Sequence, residues 1–253
     1  MAHNGLVYFS TDDGVSGRGL WRSNGTAAGT YQVADVNPRR SSSAPPRFHN
    51  LGARTCFQAN FDHYGEELWI ADGSAAGTFM LRDIHPGWPG SDLNLESAVE
   101  MGGRLYCSAN RPGTGLELWC TEGTAAGTAE LLDLAVGPFA DSNLKELTLL
   151  GDQLLFQAKD ASRDVELWAT DGTVASTLLL KDVGAGFSST PREPTVVGDR
   201  VAFLVDRDAA SGGTDWWATD GTPAGTVFVS QLSSLAFGGP KGKFPAWGDL
   251  LAF

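Results

Sequence analysis

The chain has 253 residues, of which 42% are hydrophobic and 19% charged, a composition typical of a folded globular protein and not of a disordered one. Its 30 acidic and 18 basic side chains give a formal net charge of −12, which would repel a polyphosphate backbone and argues against a nucleic-acid partner. No stretch is long and apolar enough for membrane insertion, and the N-terminus lacks the basic start and apolar core of a signal peptide.

The three cysteines and four histidines lack the spacing of metal ligands. Cys56, Cys107 and Cys120 form no CxxC pair, and the histidines form no HxH or HExxH motif. An odd number of cysteines in a chain of this length is not typical of a disulfide framework, so we expect buried free thiols. Neither a metal site nor a cofactor is predicted.

One phrase occurs five times along the chain and divides it into repeats. The tryptophans that mark successive copies are 48, 50, 49 and 49 residues apart, which is too regular for chance. The five copies read LWRSNGTAAGT, LWIADGSAAGT, LWCTEGTAAGT, LWATDGTVAST and WWATDGTPAGT, with their marker residues at Trp21, Trp69, Trp119, Trp168 and Trp217. The chain is therefore predicted to be an array of similar units.

Each unit is predicted to contain four short strands, named A to D in the order of a complete repeat. Strand B, as in LVYFS or QLLFQA, is apolar at successive positions, which is typical of a strand buried on both faces. Strand C carries neighbours such as Leu68 and Trp69, which must point to opposite faces because side chains alternate along a strand. The phrase D-G-T-x-A-G-T then turns the chain into strand D, and a loop rich in Gly, Pro and Ser leads to the next strand A.

Four antiparallel strands in about 40 to 50 residues, covered on both faces, are the blade of a β-propeller. We therefore predict an all-β fold, a five-bladed β-propeller built from five four-stranded repeats. Residues 1–253 are expected to form a single domain with repeats at about 4–51, 52–101, 102–150, 151–197 and 198–247, and 248–253 would begin a sixth copy. Because the first repeat begins at strand B, we expect 243–247 to supply its strand A. The final strand would then be an edge for self-association.

The repeated phrase resembles that of a named family, the bacterial proteins with ELWxxDGT repeats. The match lies in GEELWIADGSAAGT, GLELWCTEGTAAGT and DVELWATDGTVAST, and the resemblance covers nearly the whole chain. It implies tandem propeller-like repeats, usually in exported or surface proteins, with no agreed activity and no catalytic residues to transfer. An extracellular or cell-surface location is expected on this resemblance. The first copy departs from the pattern at Gly19, and the fifth reads Asp215-Trp216-Trp217.

Function is expected where the copies differ, because residues common to every blade serve the blade. In a propeller the D-to-A and B-to-C loops emerge on one face, and here these loops vary in length and charge. Aromatic residues or arginines lie near glycine in the D-to-A loops, and we predict that they contact a ligand, with packing between blades as the alternative. These residues are Arg39, Arg40, Trp88, Phe139, Phe187 and Phe237.

The start of strand A supplies a second set of charged residues, five or six positions before the turn glycine. If strand A is innermost, their side chains surround the channel mouth, where converging carboxylates could perform acid and base chemistry as in glycoside hydrolysis. In the alternative, the basic members neutralise the glutamates in a solvated ring. The set comprises the catalytic candidates Glu96, Glu146 and Glu193 and the ligand-binding candidates Arg47 and Lys243.

No further motif points to a particular chemistry. The acidic B-to-C loops do not match the spacing of a calcium-binding loop, and the sequence contains no GxSxG or phosphate-binding loop. The leading hypothesis is therefore a non-catalytic binding module for a carbohydrate or a protein surface. The alternative is an enzyme resembling a glycoside hydrolase or lyase that uses the three glutamates.

Overall fold

The computed structural model describes residues 1–15, 17–37, 47–137, 141–162, 164–183, 190–206 and 213–232. These residues form five four-stranded antiparallel sheets, each built from four consecutive strands, so the predicted all-β, five-bladed propeller is confirmed. The helical elements within these ranges are two short 3₁₀ turns, Asp62–Tyr64 and Val174–Ser176. None of the helices described is long and apolar enough to cross a membrane.

The strands are numbered in chain order, and each blade takes four in succession. Blade 1 contains β1 (Ala2–His3), β2 (Leu6–Asp12), β3 (Arg18–Ser23) and β4 (Tyr31–Ala34). Blade 2 contains β5 (Phe48–Leu51), β6 (Arg54–Asn60), β7 (Glu66–Ala71) and β8 (Phe79–Arg82). Blade 3 contains β9 (Asn94–Met101), β10 (Arg104–Arg111), β11 (Gly115–Thr121) and β12 (Ala129–Leu132). Blade 4 contains β13 (Lys145–Leu150), β14 (Gln153–Ala158), β15 (Glu166–Thr170) and β16 (Leu178–Lys181), and blade 5 contains β17 (Pro191–Val197), β18 (Arg200–Asp206), β19 (Thr214–Thr219) and β20 (Val227–Leu232).

Both faces of the inner blades are buried because strands B and C present apolar side chains to the two neighbouring blades. In blade 2, Leu68 packs into the apolar layer shared with blade 3, whereas the adjacent Trp69 packs into the layer shared with blade 1. Four such layers join the five blades in chain order. The A strands β5, β9, β13 and β17 contact one another in succession, which places strand A on the inner side of these blades.

The cysteines are free thiols buried in these layers, as expected. Cys107 and Cys120 lie on the neighbouring strands β10 and β11 but face different layers. Burial raises the pKa of the Cys56 and Cys107 thiols to about 12, so both remain protonated at neutral pH.

The turn between strands C and D explains the repeated phrase D-G-T-x-A-G-T. In blade 5, Asp220 Oδ1 accepts hydrogen bonds from the backbone N–H of Thr222 at 2.9 Å and from its hydroxyl at 2.7 Å. The Thr222 hydroxyl oxygen accepts in turn from Gly225 N at 2.9 Å. A Cβ at Gly225 would overlap the Asp220 carboxylate, so the glycine allows this close approach, whereas in blade 4 the position is taken by Ser176, whose hydroxyl donates to Asp171 Oδ1.

The expectation that the C-terminal segment supplies the first A strand is corrected by the structure. The chain's own N-terminus forms β1, with Ala2 opposite Val7 and His3 opposite Leu6. The ladder continues at Met1, which exchanges two hydrogen bonds of 2.7 Å with the backbone of Tyr8. A strand this short shows no alternation of polar and apolar residues, so the sequence pattern could not reveal it. Residues 243–253 lie outside the described residues.

The first glycine of the turn lies against the preceding blade. Gly73 accepts a hydrogen bond through its carbonyl from Arg22 Nη1 at 2.8 Å, and Gly123 accepts one from Arg54 Nη1 at 2.7 Å. In blade 4, Gly172 has a φ of +93°, and a Cβ there would overlap the hydroxyl of the buried Tyr106. Glycine is therefore needed at this position both for its backbone conformation and for its small size.

We predict that Gly172→Ala lowers the free energy of unfolding by roughly 2 to 4 kcal/mol, because it adds an overlap with Tyr106 to the strain of a positive φ. The matched control is Gly25→Ala in blade 1, where φ is +87° and nothing lies within 4 Å of the added Cβ. The control should cost only about 1 to 2 kcal/mol from backbone strain. Urea denaturation of both variants measures the difference, and equal losses would contradict the contact between blades.

Candidate functional site

The loops expected to form the binding face are joined to one another in blade 2. The D-to-A loop runs beside the end of the B-to-C loop, where Glu66 N donates to Pro89 O at 3.2 Å and Ser91 N donates to Glu66 O at 3.0 Å. Ser91 also accepts through its carbonyl from Asn110 N of blade 3 at 2.6 Å. The two loop types therefore lie on the same face and are fixed by backbone hydrogen bonds.

In blades 2 to 4 the glutamate of the E-L-W phrase holds residues of the D-to-A loop of its own blade by hydrogen bonds. Glu67 is fully buried, and its two carboxylate oxygens each accept from a backbone N–H, Ile84 and His85, at 3.1 Å. Glu117 does the same in blade 3, with Leu134 N and Ser142 N at 3.2 Å. Glu166 accepts from Val183 N at 3.2 Å in blade 4. These glutamates thus hold the loops in place and are not exposed to a ligand.

Burial raises the pKa of the Glu67 carboxyl to about 7, although the backbone N–H donors and the Ser91 hydroxyl favour the ionised form. The pKa of Glu117 is raised to about 7 for the same reason, against the hydrogen bonds from Leu134 and Ser142. Desolvation dominates in both cases because the carboxyls lie inside the protein. Both glutamates therefore change protonation state near neutral pH.

A cavity of about 350 Å³ lies between blades 2 and 3, where the D-to-A loop of one passes the B-to-C turn of the other. Its volume is in the range of ligand pockets. Blade 2 contributes the end of β8 and the following loop, and blade 3 contributes the end of β10 and the indole of β11. The cavity is lined by Arg82, Asp83, Ile84, Pro86, Arg111, Pro112 and Trp119.

Two guanidinium groups stand at this cavity. Arg82 donates from Nη1 to Thr128 O at 2.8 Å, and its guanidinium carbon lies 5.8 Å from the centroid of the Trp119 ring. The half-exposed Arg111 forms an ion pair of 3.3 Å with Glu130, leaving guanidinium surface toward solvent. The buried Oδ1 of Asp83 has no hydrogen-bond partner among the residues described. The cavity therefore combines guanidinium donors and the Asp83 side chain with an aromatic ring.

The structure describes only two of the predicted ligand-binding residues, Trp88 and Arg47. Trp88 lies on the same loop as Pro86 and is 65% exposed, so its ring is not buried between blades. Arg47 forms an ion pair of 2.8 Å with Glu96, and both side chains are more than half exposed. The remaining candidates lie outside the described residues, namely Arg39, Arg40, Phe139, Phe187, Phe237 and Lys243.

The three candidate catalytic glutamates all lie at β-bulges near the start of strand A. Glu96 lies between the paired residues Asn94 and Val99, whereas Glu146 and Glu193 lie in shorter bulges of β13 and β17. Glu96 therefore does not occupy the same position of strand A as Glu146 and Glu193, although all three lie five or six residues before the turn glycine. Glu146 and Glu193 both have a φ of +55°, a conformation that residues other than glycine rarely adopt.

The geometry does not join these glutamates into one cluster. Glu193 forms an ion pair of 2.9 Å with Arg192, whose guanidinium also binds Asp206 through two hydrogen bonds. Glu96 is paired with Arg47, and Glu146 is exposed. No hydrogen bond links any two of the three glutamates in the part of the chain that is described. The described residues also contain no group of three or more metal-ligating side chains.

No protein-family model matches the chain, and no curated protein matches it significantly. Solved structures do match. Puromycin hydrolase superposes with a TM-score of 0.52 at 16% identity, covering 91% of this chain and 36% of that protein. A prolyl endopeptidase gives a TM-score of 0.51 at 10% identity, with coverages of 89% and 33%.

TolB from Acinetobacter baumannii gives a TM-score of 0.44 at 12% identity and covers 90% of this chain. The chain spans between about a third and about a half of the length of these three proteins. Likeness at such low identity concerns the fold alone.

The cavity residues were missed by sequence reasoning because they come from different repeats. Arg82 ends strand D of blade 2, and Arg111 ends strand B of blade 3, so no local motif contains both. One signal was present in the aligned repeats. The positions that correspond to Arg82 hold Ala34, Leu132, Lys181 and Ser230, so this position varies from blade to blade.

We predict that the free energy of unfolding decreases as pH rises from about 4.5 to about 7, the interval between the ordinary pKa and the folded-state pKa of Glu67 and Glu117. The sign follows because a raised folded-state pKa means that the folded protein binds these protons more tightly than the unfolded chain does. The double variant Glu67→Gln and Glu117→Gln should show a shallower decrease. Urea denaturation at several pH values in this range measures the free energy of unfolding of the wild-type protein and of the double variant. The exposed Glu122→Gln controls for the change in net charge, and an unchanged slope in the double variant would contradict the assignment.

Proposed function

We propose that the chain is a non-catalytic binding module that recognises a carbohydrate through the loops of the D-to-A face, with the cavity between blades 2 and 3 holding one sugar unit. The observation that carries the proposal is a cavity in which two guanidinium groups, the Asp83 side chain and an indole meet. Such a combination of donors, an acceptor residue and an aromatic ring suits a polar ligand with a flat face.

Sugar hydroxyls suit this cavity because each can donate and accept a hydrogen bond. One sugar hydroxyl can donate to the Asp83 carboxylate, while a neighbouring sugar oxygen accepts a hydrogen bond from Arg82 or Arg111. The exposed ring of Trp88 is on the adjoining loop and offers a flat surface for a second sugar ring. The ligand that fits is therefore an oligosaccharide. The exported or surface location expected from the repeat family suits such a ligand.

A protein surface remains the other ligand class, because exposed aromatic residues and arginines also contact proteins. The two differ in what they require of the cavity. A sugar unit enters it and uses Asp83, whereas a flat protein surface would contact mainly Trp88 and the loop rim. Asp83→Asn and Trp88→Ala therefore distinguish them on any ligand that binds.

We predict that Arg82→Ala weakens binding of the oligosaccharide found by screening a glycan array by about tenfold or more, since it removes a charged hydrogen-bond donor from the cavity. Lys181→Ala is the matched control. Lys181 occupies the same position in blade 4, donates to Thr226 O at 3.1 Å and lies 5.7 Å from the Trp217 ring, so it makes the same contact between blades without the cavity.

Calorimetric titration of both variants separates the two effects. Weaker binding in Arg82→Ala with unchanged binding in Lys181→Ala supports the proposal. Equal effects in both variants, or no glycan bound by the wild-type protein, would contradict it.

A second candidate function is cleavage of a glycan at the channel mouth by a hydrolase or lyase reaction. The observation that favours it is the positive φ shared by Glu146 and Glu193 at their bulges, because strained backbone and bulges are concentrated at functional sites. We predict that a hydrolysis screen finds no turnover and that Glu146→Gln leaves glycan binding unchanged. Turnover that is lost in Glu146→Gln, with the fold intact by circular dichroism, would support the enzyme instead.

A further inference from the structure

Blade 1 has a face that no other described blade covers. This rear face is formed by Val7, Phe9, Trp21 and Gly25, and it points away from blade 2. In blades 2 to 5 the corresponding face packs against the blade before it. The four interfaces inside the molecule therefore show what a filled rear face looks like.

The matched positions measure how open the rear face of blade 1 is. Val7 is 47% exposed, whereas the residues at its position in the other blades are all 0% exposed. Those residues are Thr55, Leu105, Leu154 and Val201. Phe9 and Trp21 are likewise only partly buried, although Phe57 and Trp69 in blade 2 are buried. The difference cannot come from the residue types, since Phe9 and Trp21 are identical to their counterparts.

The turn between strands C and D of blade 1 has no described preceding blade against it. Gly25 is exposed and has nothing within 4 Å of the position of a Cβ, whereas the equivalent glycine is buried against the preceding blade in each of the other four turns. These buried glycines are Gly73, Gly123, Gly172 and Gly221. The rear face of blade 1 therefore has the residues that bind a preceding blade in the other interfaces, and no described blade covers it.

The front face of blade 5 carries the matching residues. Val197 and Ala202 are partly exposed, whereas Leu150 and Leu155 at the same positions of blade 4 are buried against blade 5. Arg200 occupies the position of Arg54, the residue that donates to the turn glycine of the next blade. Blade 5 is the described blade whose front face has no following blade.

We propose that the rear face of blade 1 docks the front face of blade 5 from a second copy of this chain, in a head-to-tail association. Arg200 of one copy then donates to the carbonyl of Gly25 of the other, as Arg54 does to Gly123, and Val197 covers the turn as Leu51 does. The occupant is a copy of the chain because these two faces reproduce the two sides of an interface that the molecule already makes four times. This association is independent of the proposed glycan binding.

Sedimentation velocity of the full chain over a wide range of concentration tests the proposal. Wild-type protein should associate as concentration rises, and a head-to-tail contact can extend beyond a dimer. Val7→Arg places a charge in the interface and should weaken association by at least about tenfold. Val174→Arg is the control, because Val174 is 56% exposed on the turn of blade 4 and the same charge is added away from the interface.

A mixing experiment tests the direction of the contact. Arg200→Glu alters the front face only, and Val7→Arg alters the rear face only, so each variant alone should be monomeric. Their equimolar mixture should form a one-to-one dimer, because the intact front face of one variant meets the intact rear face of the other. Circular dichroism confirms that both variants are folded.

The proposal is supported by wild-type association that Val7→Arg removes, that Val174→Arg retains and that mixing restores as a dimer. It is overturned if wild-type protein stays monomeric throughout, which would mean that the rear face is left open or is filled within one chain. Association that persists in Val7→Arg, or that mixing fails to restore, also overturns it.

Discussion

The inner blades have two apolar faces, and the need to cover both governs the structure. A single four-stranded sheet cannot bury Leu68 and Trp69 together, because these neighbours point to opposite sides. Only a blade in front and a blade behind can do so, and each large side chain buried in this way contributes about 1.5 to 3 kcal/mol. The regular spacing of the repeat follows, since an inserted or deleted residue in strand B or C would exchange the two faces.

The turn and the buried glutamate extend this constraint to the two ends of each blade. At one end the turn glycine fits against the preceding blade, as Gly172 does against Tyr106. At the other end the carboxylate of Glu67 or Glu117 holds the first residues of the D-to-A loop. The end of the loop is fixed as well, since Ser91 and Ser142 are buried and hydrogen-bonded, so the sequence varies mainly between these two points. The repeated residues thus build the scaffold, and the cavity combines two of them, Asp83 and Trp119, with residues at variable positions such as Arg82 and Arg111.

The fold could be predicted from the sequence because each of the five copies of the repeated phrase indicates the same four-stranded blade. The sequence was insufficient for the site for two physical reasons. The cavity joins Arg82 and Arg111 through a contact between blades, and no spacing along the chain encodes such a contact. The bulges at the start of strand A also shift the register by different amounts, so that similar distances from the turn glycine, six residues for Glu96 and five for Glu146, do not mark the same position of the strand. A two-residue strand such as β1 is equally invisible to periodicity.

Blade 1 shows what happens when the carboxylate anchor is missing. Gly19 replaces the glutamate, and a Cβ there would overlap the Gln32 side chain, so a longer residue does not fit without rearrangement. Asn37 occupies the place of His85, is 1% exposed, and has no hydrogen-bond partner for its side-chain oxygen or nitrogen among the described residues. Blade 2 has the glutamate and also contains two unpaired buried atoms at this place, Asp83 Oδ1 and His85 Nδ1, so unpaired polar atoms here do not depend on the missing glutamate. Blade 1, whose rear face no described blade covers, is therefore also a blade whose strand C lacks the glutamate, with Gly19 in its place.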